Sequence, residues 1–106
     1  MKKLVPKITD YMENCVICGA PAEWHHVIHT PNGSRDKASE DGLLLPLCPA
    51  HHQTGKDAAH ASIVTDRLCN IIGELAYERN VIASGEAASV EEARDRFRER
   101  YGRNRL

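Results

Sequence analysis

Two kinds of hydrophobic pattern divide the chain. Leu43, Leu44, Leu45 and Leu47 form a short apolar run ending at Cys48, consistent with a buried strand. Upstream, residues 22–27 read as a short strand or hairpin. Further on, Val64, Leu68, Ile71, Ile72 and Leu75 recur at spacings of 4, 3, 1 and 3, which predicts an amphipathic helix over about residues 62–81 with this stripe facing inward. A turn at Ser84-Gly85 follows, and Ser89-Val-Glu-Glu92 forms a capping box. The second helix should run over residues 90–101, bury Val90, Ala93, Phe97 and Tyr101, and stop at Gly102. The polar stretch 30–42 reads as a loop, and Pro49 suits the first turn of a helix carrying His51 and His52.

These elements give one α+β domain in three stretches. Residues 1–14 read as an N-terminal arm or a short helix started near Pro6, residues 15–61 as a metal finger, and residues 62–106 as a two-helix extension packed on it through Leu68, Ile72, Leu75 and Phe97. With 106 residues, one Phe, one Trp and three Tyr, the chain has few large core side chains, so something beyond apolar burial is expected to hold it together. Charge is nearly balanced, 14 Lys plus Arg against 15 Asp plus Glu, so any basic surface must be local. The longest apolar run falls well short of the roughly 20 residues a bilayer needs, and no signal-peptide core follows Met1-Lys2-Lys3. The expectation is a cytoplasmic protein without a membrane partner, whose cysteines are reduced.

Chemistry concentrates in one window. All six histidines fall between His25 and His60, beside three of the four cysteines. Cys15-x2-Cys18 is a metal-binding knuckle, and Cys48-x2-His51 supplies a matching half at a strand-to-helix junction, about the four donors a structural zinc requires. His51 and His52 are adjacent, so either could be the fourth ligand. Cys69 lies beside the helical stripe and reads as a small buried hydrophobe. On a strand His25 and His26 point to opposite faces, so one can hold a metal while the other addresses a water molecule. Phosphodiester hydrolysis needs both functions.

The stretches Cys15-Val-Ile-Cys18-Gly, Trp24-His25-His26-Val27, Ser39-Glu40-Asp41-Gly42-Leu43, Leu47-Cys48-Pro-Ala-His51-His52 with Gly55, and Ala59-His60 resemble HNH endonucleases of the treble-clef, ββα-metal type. The resemblance extends to the phage and prophage subgroup related to the RecA-dependent recombination-enhancement nuclease, and covers residues 15–106. It implies a zinc-stabilised treble-clef finger followed by two helices, and a metal-dependent DNA endonuclease. His26 matches the general base. His25, His52 and His60 match ligands of a catalytic divalent metal, Mg²⁺ or Mn²⁺, distinct from the zinc. The subgroup further implies single-stranded or recombination-intermediate DNA as substrate and a recombinase filament as partner. Where the family name has its middle Asn, this chain has Leu43, with Asn32, Asp36 and Asp41 nearby in sequence. That departure leaves open a catalytically silent zinc finger that binds nucleic acid or protein. Residues 94–106 carry six arginines against Asp95 and Glu99, and Arg94, Arg98 and Arg103 are the candidates for phosphate contact, with a salt-bridged helix surface as the alternative.

Overall fold

A computed structural model describes residues 6–28, 35–55, 58 and 62–106. The element order is β1 (Glu23–His26), α1 (Arg35–Glu40), β2 (Leu44–Leu47), a π-helical turn (Ala50–Thr54), α2 (Ile63–Ala83) and α3 (Val90–Tyr101). β1 and β2 pair antiparallel with His25 opposite Leu45 and His26 opposite Leu44. The pair continues one residue further, where the Val27 N–H donates to the Leu43 carbonyl at 3.1 Å. β2 is buried throughout, as its apolar run requires.

Several expectations are corrected. The stretch 30–42 is not wholly a loop, because residues 35–40 form α1, whose Ala38 is fully buried and whose carbonyl accepts from Leu43 N–H. The arm has no helix near Pro6 among its described residues 6–14. It is the irregular arm of the two readings, with bends, tied down by Lys7 N–H to the Gly42 carbonyl, by Arg79 to the Lys7 carbonyl, and by an isolated bridge between Asn14 and Pro21. The rest of the arm, residues 1–5, lies outside the described residues, as do His29 and His60.

The largest correction concerns α2. Val64, Leu68, Ile72 and Leu75 lie on its outer side and do not pack inward. The buried side carries Cys69, Gly73, Glu74, Ala76, Tyr77, Glu78 and Val81. Gly73 lies on this face where the helix comes close against Val27 and Ile28. A Cβ built on Gly73 would come within 2.8 Å of Val27 Cγ2 and 2.9 Å of Ile28 Cδ1. Gly73→Ala therefore gains helix propensity of about 1 kcal/mol against an overpacking cost of about 1–3 kcal/mol, and should lower stability by up to about 2 kcal/mol net. A thermal melt of the variant checks this, and a raised midpoint would refute the close approach.

α3 matches its expected bounds. The Ser89 hydroxyl accepts from Glu92 N–H, Glu92 reaches back to Ala88 N–H, and Gly102 closes the helix at φ 91°. Phe97 and Tyr101 pack edge-on to Tyr77 at ring distances of 5.4 and 6.0 Å, which joins α3 to α2. Val90 is exposed, contrary to expectation, and the buried face of α3 consists of Ala93, Phe97 and Tyr101.

Two buried carboxylates on α2 were not foreseen. Glu74 is fully buried and accepts from Asn104 Nδ2 at 2.9 Å and from the backbone N–H groups of Arg105 and Leu106. Glu78 accepts a forked contact from Arg94 at 3.2 and 3.3 Å, while burial, with its neighbour Glu74, pushes its carboxyl above the usual range. Glu74 fastens the chain's last residues to α2, and Glu78 fastens α3 to it through Arg94.

Candidate metal centre and histidine cluster

The knuckle forms because the Gly19 N–H returns to the Cys15 carbonyl at 2.9 Å, the Cys15 N–H donates to the Ala20 carbonyl at 2.7 Å, and Gly19 adopts φ 81°, which a side chain would resist. Val16 N–H donates to the Pro46 carbonyl and fixes the knuckle on β2. Cys48 ends β2, and its carbonyl accepts from both His51 N–H and His52 N–H, which starts the π-helical turn. Two short local structures thus converge.

Cys15, Cys18, Cys48 and His51 place their ligand atoms within 4.8 Å of one another. Cys18 Sγ lies 3.6 Å from Cys48 Sγ, and His51 Nδ1 lies 3.2 Å from Cys48 Sγ and 3.6 Å from Cys15 Sγ. A zinc tetrahedron with ordinary Zn–S and Zn–N bonds has edges of about 3.5–3.8 Å, so the donor set fits this ion. The sulfur separation is far longer than a disulfide, and all four cysteines are free. Burial alone would raise the Cys15 thiol, but backbone hydrogen bonds at Cys48, Cys18 and Ile17, with His51, outweigh it and bring it down to about 6. Of the two adjacent histidines, His51 joins the cluster. Cys69 stands apart, and burial pushes its thiol up to about 11, as befits an inert core residue.

His52, next in sequence, turns away from the cluster. Its ring meets His25 edge-on with centroids 4.7 Å apart, and its Nδ1 is hydrogen-bonded to Glu23 Oε1 at 2.6 Å. Strand alternation explains this grouping, since Glu23 and His25 share one face of β1. His25 is almost wholly buried there. His26 takes the opposite face, half-buried, with Nε2 hydrogen-bonded to Ser39 Oγ of α1 at 2.8 Å. Sequence reasoning gave Glu23 no role, although its position two residues before His25 on a strand was a usable signal. Ser39 enters the sequence reading only within the stretch Ser39-Glu40-Asp41-Gly42-Leu43.

The remaining candidates are placed as follows. Leu43 is fully buried in the core. Asp41 faces α3, bound by Arg100 at 2.6 Å and by the Tyr101 hydroxyl. Arg98 pairs with Asp95 at 2.7 Å, and Arg103 is exposed. Trp24 is exposed on β1. Asn32 and the Asp36 side chain lie outside what is described. No helix among the described residues is long and apolar enough to cross a membrane.

Set against protein-family models, curated proteins and solved structures, the chain matches none of them.

Proposed function

We propose that this protein is a zinc-stabilised, metal-dependent DNA endonuclease of the HNH, treble-clef type, with His26 as general base. The observation that carries the reading is the division of the histidines: His25 stands ring against ring with His52, one residue past a zinc ligand, while His26 is held by Ser39 on the other side of the strand. One imidazole pair is suited to hold a divalent cation and the other imidazole to move a proton. When His26 Nε2–H donates to Ser39 Oγ, Nδ1 carries the lone pair that takes a proton from water. Ser39 then performs the orienting task for which the family uses Asn at the position of Leu43.

A catalytic cation here would be held by His25 and His52, with His60 as the third ligand the resemblance implies. When bound, it supplies charge withdrawal from the phosphate and the leaving oxygen. Imidazole donors favour transition ions over Mg²⁺, so Mn²⁺ is the better of the two expected metals. Glu23 on His52 Nδ1 fixes the tautomer that presents Nε2 to a metal. Glu23→Ala should weaken Mn²⁺ binding to the zinc-loaded protein by about 10- to 100-fold, read by calorimetry. Unchanged Mn²⁺ affinity would remove Glu23 from the site.

DNA is the proposed partner, with single-stranded or recombination-intermediate forms and a recombinase filament carried by the resemblance alone. Phosphate contact would fall to Arg103 first, because Arg94 and Arg98 are engaged by Glu78 and Asp95. The second reading, a zinc module that binds without cutting, is favoured by one observation: Leu43 belongs to the core, and Asp41 is turned to α3. Metal-dependent nicking of plasmid DNA decides between them. Turnover supports the nuclease; zinc-loaded protein that binds DNA and leaves it intact supports the module.

A further inference from the structure

α2 is apolar on two sides, and only one is covered by the described residues of its own chain. Its outer side presents Val64 (64% exposed), Leu68 (56%), Ile72 (38%), Leu75 (52%) and Ile82 (38%). At 100° per residue these five fall within one arc of about 80°, a continuous stripe spanning about 27 Å of the helix. Such a stripe normally meets another helix, and helices apolar all round are normally buried.

We propose that this stripe is a homodimer interface, in which α2 of one protomer packs antiparallel against α2 of a second copy about a two-fold axis near Ile72. Three features favour a second copy. First, the stripe is close to palindromic about Ile72, with Leu68 and Leu75 on either side and Val64 and Ile82 at the ends, so an isologous contact sets like against like. Second, charge selects the direction. Arg79 is exposed within the same arc. A parallel pair would set Arg79 against Arg79, whereas an antiparallel pair separates the two guanidinium groups by about 20 Å along the helices and leaves each on its own chain's Lys7 carbonyl. Third, the area suffices for a reversible dimer. At these exposures the five residues present on the order of 450 Å² per protomer, or about 900 Å² for the pair, the size of a weak, reversible interface.

This inference stands independently of the proposed activity, since none of its residues belongs to the metal centre or the histidine cluster. Sedimentation velocity of the zinc-loaded full chain should show the mass rising from 11.8 kDa toward twice that value as concentration increases from about 1 to 100 µM. Ile72→Glu and Leu68→Glu, both on exposed positions, should remain monomeric over this range with unchanged zinc content and circular dichroism. The axis is tested by cysteine substitution with wild type as background. Ile72→Cys should cross-link to itself on mild oxidation, and Val64→Cys should not. A wild-type monomer throughout, a dimer that survives Ile72→Glu, or self-linking at Val64→Cys overturns the proposal; a monomer that pairs only with another protein would assign the stripe to a different partner.

Discussion

Cys15→Ser in the zinc-loaded protein should abolish zinc binding and the cooperative melting of the finger. The expectation rests on magnitudes. Structural zinc contributes an apparent 10–16 kcal/mol in isolated fingers near neutral pH, while a whole domain of ordinary stability has about 5–15 kcal/mol to lose. Loss of one thiolate need remove only part of the first figure to consume the second. The knuckle, the end of β2 and the turn carrying His51 converge on this donor set, and the backbone bonds that also join them, Val16 N–H to the Pro46 carbonyl and His51 N–H to the Cys48 carbonyl, are each worth only about 1 kcal/mol. The effect should be uneven along the chain. α2 and α3 share the aromatic contacts of Tyr77, Phe97 and Tyr101, and the Glu74 and Glu78 anchors, none of which involves the metal. Part of the helical circular dichroism should therefore persist while the single Trp, Trp24 on β1, loses its folded fluorescence. Zinc analysis and a melt followed by both signals check this. A variant that melts at the wild-type temperature without metal would show that packing alone holds the finger.

How legible these features were depended on whether a local pattern could decide them. The four members of the candidate metal cluster were readable because each pair sits on one local turn, Cys15 with Cys18 and Cys48 with His51, and ligand spacing within a turn is a local property. The choice of His51 over His52 was not, since it depends on the π-helical turn directing one ring to the sulfurs and the next to His25. α3 was readable to its ends because Ser89, Glu92 and Gly102 act on neighbouring backbone groups. The inner face of α2 was misread because periodicity identifies an apolar stripe without saying which of two apolar faces meets the sheet. There Gly73 decided the matter through close approach to Val27 and Ile28, and Leu68 and Leu75 were left outside. α1 was missed because the polar composition of residues 30–42 resembles a loop, and its stabilising contacts are distant: Glu40 and Asp41 with Arg100, and Lys37 with the Arg100 carbonyl. Glu23 and Ser39 acquire their partners only when β1 meets the π-helical turn and α1, beyond the reach of spacing arguments.

His26→Ala should separate chemistry from scaffold. On the proposed reading, the variant keeps its zinc, its melt and its circular dichroism, because His26 is half-buried and is hydrogen-bonded to Ser39 on the face of β1 opposite His25, outside the Cys15, Cys18, Cys48 and His51 cluster. Nicking of plasmid DNA in the presence of Mn²⁺ should fall by about 10²- to 10⁴-fold, the usual worth of a positioned base. Ser39→Ala should cost much less, about 10-fold, because it releases the ring without removing it, and one hydrogen bond contributes about 1 kcal/mol. The order of the two effects carries the information: a base loses everything with its nitrogen, whereas a positioning hydroxyl loses only alignment. Equal nicking by wild type and His26→Ala would transfer the proton step to another group or to a contaminating nuclease. Intact DNA with both proteins, zinc bound, DNA retained and a recombinase filament added, would decide for the silent module, in which His26 and Ser39 serve only to tie α1 to β1.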